Sequence, residues 1–215
     1  MGVTAVYRDG AWAPLSGVAA VVGSVLWMAM PWLQLAALGT RPYVGTAFDV
    51  GSFLGWLLMA VGLVGARTAF GDRYGRVGRA GVALSGAGMT VVAGLLLRRV
   101  AVFVDAGFRR VPATGEDPAG LVLTWAFLLG FGLVFVGGGL LGVALWRLGL
   151  GRPLAAGVLV AAPMLVLLLL VLRLLSLLPL PFGRALVGTN IAFVPLAVGW
   201  MALGRLVYTV ARADG

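Results

Sequence analysis

The chain has 215 residues, of which 61% are hydrophobic and 11% are charged, and its mean hydropathy is +1.07. Soluble domains carry about 25% charged residues, so this composition excludes a soluble globular fold. The net charge of +9 arises from sixteen arginines against seven acids. Because the arginines lie between apolar runs and not on one polar face, they indicate membrane topology, and we expect no nucleic-acid partner.

Cysteine, histidine and lysine are all absent from the sequence. Without cysteine there is no disulfide, thiolate nucleophile or thiolate metal site. Without histidine the usual metal ligand and general base are missing, and without lysine no Schiff base can form. We therefore expect no catalytic residues, no cofactor and no metal site.

Apolar runs of membrane-spanning length recur along the chain. Backbone groups in hydrocarbon must be satisfied within their own segment, so each run predicts a transmembrane helix. The predicted spans are 15–38, 50–66, 80–97, 119–146, 154–178 and 185–204. The sequence predicts an all-α polytopic integral membrane protein with a single membrane domain over residues 1–215. Its fold would be a six-transmembrane-helix bundle of three antiparallel hairpins.

The first two predicted helices carry capping and packing signals. Residues 1–14 lack the basic region and cleavage site of a signal peptide, so we expect the first helix to be retained. Asp49 stands at the start of the second span, where a carboxylate can cap free N–H groups. Gly51 and Gly55 form a GxxxG step, and with Gly62 they predict close helix packing.

The connection between the second and third spans is short and rich in arginine, which predicts a cytoplasmic loop that orients the bundle. Its candidate gating or topology residues are Asp72, Arg73, Gly75, Arg76 and Arg79.

The run Asp72-Arg73-Tyr74-Gly75-Arg76 resembles the core of the loop between helices two and three of major facilitator transporters. In that family the carboxylate and arginines of the loop lock neighbouring helix ends together in one conformation and release them in the other. The resemblance covers five residues. The family's leading glycine falls on Thr68 and its further basic residue on Val77. A basic, glycine-containing turn without kinship to that family is the other explanation.

The longest predicted segment outside the membrane is the external loop 98–118, in which residues 100–110 form an amphipathic stretch suited to the membrane interface. Exposed loops on rigid scaffolds often carry recognition. The candidate recognition residues are Asp105, Arg109, Arg110, Glu116 and Asp117.

The last three spans supply further packing and interface signals. Gly138 and Gly142 predict a tight seam on the fourth span, with a flexible break at the glycine triplet 137–139 as the alternative. In the fifth span, Arg173 is expected to snorkel to the interface, and burial is the alternative. Trp200 and Tyr208 fit an interfacial aromatic belt.

The distribution of arginine predicts that both termini are cytoplasmic, with nine arginines inside and seven outside. Small-residue steps followed by arginine end the second, fourth and sixth spans, which suggests a threefold hairpin repeat. An arginine-only basic set is associated with GC-rich prokaryotic genomes, so we expect a prokaryotic plasma membrane.

Two functional hypotheses follow from these patterns. The spans hold few polar residues, which favours a non-catalytic accessory or scaffolding module that works through helix and lipid packing. Its partners would be the bilayer and other membrane subunits or a second copy. The alternative is a small-solute transporter or channel with a cytoplasmic gating loop at Asp72–Arg76. An interfacial enzyme site near Asp105, Glu116 and Asp117 ranks third, and no reaction class follows from these residues.

Overall fold

The computed structural model describes residues 12–36, 42–107, 118–149, 156–161, 164 and 186–213, and all regular structure in these ranges is helical. The long helices are α1 (Trp12–Ala36), α2 (Pro42–Phe70), α3 (Gly75–Asp105), α4 (Pro118–Arg147) and α5 (Leu186–Ala213). A short 3-10 helix, Gly71–Tyr74, joins α2 to α3, and residues 156–161 are also helical.

Each of the five long helices contains a stretch that is long and apolar enough to cross a membrane. These stretches are Trp12–Met30, Phe48–Phe70, Gly75–Asp105, Trp125–Arg147 and Val194–Arg212. The prediction of an all-helical membrane protein is therefore confirmed. The predicted span 154–178 lies mostly outside the described residues, and so does Arg173 within it.

The order in which the helices pack in the bundle differs from their order along the chain. Helix α3 packs between α4 and α2, and α1 packs between α2 and α5. Leu159, in the helical segment 156–161, approaches Gly142 of α4 and Gly199 of α5. The segment therefore lies between α4 and α5 and completes a ring of helices around the core.

The α1–α2 hairpin is held by a seam of mostly small residues at alternating spacings of four and three. On α1 the seam residues are Ser16, Ala20, Gly23, Trp27 and Met30, and they face Gly65, Gly62, Gly55 and Gly51 of α2. A β-carbon on Gly23 would lie 2.7 Å from the carbonyl oxygen of Gly55. The mean spacing of 3.5 residues is that of a coiled coil, and the pairing order shows that the helices are antiparallel.

The α3–α4 hairpin uses the same arrangement. Gly81, Ser85 and Gly88 of α3 face Gly137 and Gly130 of α4. A β-carbon on Gly88 would lie 2.5 Å from the carbonyl oxygen of Gly130. Such close backbone approach is the basis of helix association in lipid, where burial of apolar surface gives little advantage.

A cluster of aromatic side chains fills the bundle near the middle of α1, α2 and α4. The ring centroids of Trp27 and Trp56 are 4.9 Å apart, and those of Trp56 and Phe131 are 5.5 Å apart. Trp200 is fully buried in the core, so its predicted place in an interfacial belt is wrong. Its large apolar ring is needed to fill space between helices, an outcome that composition alone does not decide.

Two further expectations are corrected by the helix bounds. Asp49 does not cap α2, because that helix begins at Pro42 and Asp49 lies within it. Residues 98–105, predicted as the start of an external loop, continue α3 to Asp105 and form no separate interfacial helix. Helix α4 is continuous through the glycine triplet 137–139 in this structure, and the alternative of a flexible break there stays a prediction.

Candidate functional site

Arginine is concentrated at one end of the bundle, which we term the basic end. This end comprises the start of α1, the ends of α2, α4 and α5, and the start of α3, as the contact of Gly17 with Gly204 and of Gly81 with Leu141 shows. Among the described residues it carries seven arginines: Arg67, Arg73, Arg76, Arg79, Arg147, Arg205 and Arg212. The opposite end carries Arg98 and Arg99.

The turn from α2 into α3 is built on two glycines with positive φ. Gly71 has φ +50° and opens the 3-10 helix, and Gly75 has φ +61° and begins α3. Only glycine adopts this region without strain, so the two residues define where the 3-10 helix starts and stops. The exposed Arg79 donates from Nε to the carbonyl oxygen of Gly75 at 3.4 Å, which ties the first turn of α3 back to its start.

Tyr74 is the buried residue of this turn. Its side chain is 4% exposed, its ring centroid lies 5.1 Å from that of Phe70, and the ring covers Gly78. The phenol hydroxyl is buried without a hydrogen-bond partner among the described residues. Burial raises the pKa of the Tyr74 phenol well above its usual value, so the hydroxyl remains protonated and can donate.

The basic end contains a cleft of about 330 Å³ between the turn and the end of α4. Its lining residues include Arg73, Arg76 and Arg147, together with Tyr74 and Gly75. Tyr74 is the N-cap residue of α3 and makes no capping hydrogen bond, and the first turn of α3 has no acidic residue. The start of α3 and three arginine residues therefore border one cleft, a combination that favours an anion.

The structure thus brings part of the predicted gating loop together with a residue outside it. Arg73, Gly75 and Arg76 line the cleft, and Arg79 lies one turn along α3. Asp72 belongs to the 3-10 helix, and its side chain is not among the described groups. The sequence interpretation did not name Arg147 or Tyr74 as candidate residues. Antiparallel pairing of α3 with α4 is the signal that could have placed Arg147 beside the loop.

The predicted external recognition residues are not assembled into a site in the described part of the chain. Asp105 is exposed at the end of α3, and the helix closes through hydrogen bonds from Ala106 and Gly107 to the carbonyl oxygens of Val102 and Val104. The other candidates lie outside the described residues: Arg109, Arg110, Glu116 and Asp117.

The opposite end of the bundle carries an ion pair that the sequence interpretation also missed. An Nη2 atom of Arg99 on α3 lies 3.3 Å from Oδ2 of Asp49 on α2. Both residues lie at the end of the antiparallel α2–α3 pair that is remote from its connecting turn, so their opposite charges were the available signal. The pair joins α2 to α3, so Asp49 contacts a neighbouring helix instead of capping its own.

The predicted packing glycines fall into two groups. Gly51, Gly55 and Gly62 lie at the α1–α2 seam, and Gly142 is in tight contact with Ala156 and Leu159. Gly138 has only ordinary van der Waals neighbours at 3.5 Å or more, so its position has room for a methyl group.

The fold and the basic end define the protein as an all-helical membrane protein with a charged cleft at one end. No protein-family model matches the chain, and no curated protein and no solved structure matches it either. Its function has to be argued from its own residues.

Proposed function

We propose that the chain is a non-catalytic, six-span membrane protein that acts as an accessory or scaffolding module through helix and lipid packing. The observation that carries this proposal is the filled middle of the bundle. Trp27, Trp56 and Phe131 meet there, and Trp200 and Met59 are fully buried. Carriers bind their substrates near the bilayer midplane, often between broken helices. Helices α1, α2 and α4 are continuous at this level.

The polar side chains of the described spans also support packing over transport. Ser24 donates to the carbonyl oxygen of Ala20 at 2.7 Å, and Thr90 donates to that of Gly86 at 2.9 Å. Ser16 likewise donates to the carbonyl oxygen of Ala13. These hydroxyls are satisfied within their own helices, as lipid requires, and they offer no series of free groups to a passing solute.

The direction of the helices supports the proposal of six spans with both termini on one side. Helix α4 ends at the basic end, and α5 runs from the opposite end to the basic end. The predicted span 154–178 lies between these two helices in the sequence, as the proposal of a sixth span requires. The concentration of arginine at the basic end supports a cytoplasmic location for that end and for both termini.

The outer surface supports the bilayer as a partner. Large apolar side chains are exposed at intervals of three or four residues on each hairpin. They include Leu15, Val18, Val22 and Val25 on α1, and Val122, Trp125 and Leu129 on α4. We propose a prokaryotic plasma membrane, with further membrane subunits or a second copy as protein partners.

The lack of cysteine permits a direct test of topology. A single cysteine introduced as Ala106→Cys at the opposite end should react in intact cells with a membrane-impermeant maleimide. Ala213→Cys at the basic end should react only after permeabilisation. Equal labelling of both variants in intact cells, or the reverse pattern, would contradict the proposed topology.

The functional proposal is tested by purification in mild detergent and by reconstitution. We expect the protein to be isolated with stoichiometric membrane subunits or as a defined oligomer, and to give liposomes no solute flux above that of empty liposomes. A lone species that carries solute would refute the packing role.

A transporter is the second candidate, because the predicted gating loop meets a neighbouring helix end. Arg73 and Arg76 share the cleft with Arg147 of α4, and a gate needs such a contact between loop and helix. If flux is found, the double variant Asp72→Asn and Arg76→Ala should abolish it while insertion persists. Arg205→Ala, at the same end but outside the cleft, is the control. Equal flux through the wild type, the double variant and Arg205→Ala would show that the loop is not a gate.

A further inference from the structure

We propose that the cleft of Arg73, Arg76 and Arg147 binds a phosphate group, carried either by an anionic lipid headgroup or by a small soluble ligand. The proposal goes beyond the packing role and holds whether or not the chain carries solute. Two features support it: three arginines from two separate elements that line the cleft, and the start of α3 beside them.

The arginines come from two elements that are distant in sequence. Arg73 belongs to the 3-10 helix, Arg76 to the first turn of α3, and Arg147 to the last turn of α4. All three are exposed, and no ion pair links them to a described acidic group. Like charges on separate helices repel one another, so their convergence on one cleft favours a bound anion that offsets the repulsion. Arginine also presents a planar fork that matches phosphate oxygens.

The start of α3 supplies further donors. Its first N–H groups have no partner within the helix, and neither a capping side chain nor a first-turn acid is present among the described groups. A helix start beside arginine is a common setting for phosphate.

The size of the cleft restricts the ligand. Sites for small molecules usually have volumes of about 300–1,000 Å³, and a volume of about 330 Å³ is at the lower limit. This favours inorganic phosphate or the glycerol phosphate of a lipid headgroup over a nucleotide. The cleft lies at the end of the membrane helices, where lipid headgroups are also found.

The experiment compares two triple variants that remove the same charge from the same end. The cleft variant is Arg73→Gln, Arg76→Gln and Arg147→Gln. The control is Arg67→Gln, Arg205→Gln and Arg212→Gln, whose residues lie outside the cleft. In the lipid arm, native mass spectrometry measures the retention of phosphatidylglycerol relative to phosphatidylcholine. In the soluble arm, calorimetry in neutral detergent measures binding of inorganic phosphate against chloride at equal ionic strength.

We expect the wild-type protein to prefer phosphatidylglycerol or inorganic phosphate by about tenfold or more, and the control to keep that preference. The cleft variant should lose it. A preference confined to the lipid arm identifies a headgroup as the source, and one found in the soluble arm identifies a free phosphate. No preference in either arm, or equal loss in both triple variants, would overturn the proposal.

Single variants keep the test valid if a triple variant does not fold. Arg147→Gln should weaken binding by about tenfold, because one charge-assisted contact is removed, and Arg205→Gln should leave it unchanged. Equal effects of these two substitutions would show that only the total charge of the basic end matters, which would refute the site.

Discussion

The middle of the bundle and its basic end are built on different principles. In the middle, tryptophan and phenylalanine rings fill the space between helices, and most hydroxyls bond to their own helix. At the basic end, three arginines surround a cleft beside an uncapped helix start and a buried phenol. This contrast shows that the middle of the bundle contributes stability. The charged groups and hydrogen-bond donors without described partners lie mainly at the basic end.

Truncation in the middle should have the largest effect on stability. Trp56 is 1% exposed and contacts Trp27 and Phe131, so Trp56→Ala should lower the free energy of unfolding by about 3–5 kcal/mol. Thermal unfolding in detergent measures the change. Trp125→Ala is the matched control, because that side chain is 65% exposed and leaves no cavity. Similar losses in both variants would mean that the middle is not a packed core.

Overfilling the α3–α4 seam should come next. A β-carbon on Gly137 would meet the backbone of both Ser85 and Gly81, so Gly137→Ala should cost about 1–3 kcal/mol. Gly132 on the same helix has open space around it, and Gly132→Ala should be neutral or slightly stabilising. Size-exclusion profiles after heating distinguish the two variants. If Gly137→Ala were as stable as the wild type, α3 and α4 would not need close backbone contact.

Ser85 is the exception to the satisfied hydroxyls of the middle. It is fully buried at the α3–α4 seam, and its Oγ has no hydrogen-bond partner in the described structure. Ser85→Ala should therefore raise the free energy of unfolding by about 1 kcal/mol. The control is Ser24→Ala, which removes a hydrogen bond and should not stabilise. A loss of stability in Ser85→Ala would indicate that the hydroxyl has a function.

Tyr74 carries the same kind of buried hydroxyl without a described partner as Ser85, so removing it should have a similar effect near neutral pH and an additional one in alkaline solution. Its pKa is raised by burial, so the unfolded chain ionises first, and stability should fall as the pH rises above about 10. Tyr74→Phe should reduce that alkaline loss. Unfolding temperatures measured from pH 8 upward test this, with Tyr208→Phe as the control. An identical pH profile for Tyr74→Phe and wild type would mean that the phenol is hydrated.

Particular residues show how far sequence reasoning extends. The apolar run around Trp56 predicts a membrane helix whatever its neighbours are, because hydrocarbon leaves the backbone no other partner. The same reasoning fails for Trp200, since an amphipathic ring suits both an interface and a core. It also fails for Asp49, because local propensity does not show that the helix begins seven residues earlier or that Arg99 lies opposite.

Composition and the length of the apolar runs were sufficient by themselves to determine that this is a helical membrane protein with arginine collected at the helix ends. Which glycines touch, which tryptophan is buried and which arginines share a cleft were decided only by the tertiary structure. The reason is physical: hydropathy and backbone hydrogen bonding act within one segment, whereas the contact of Arg147 with the turn before α3 depends on how two separate helices pair.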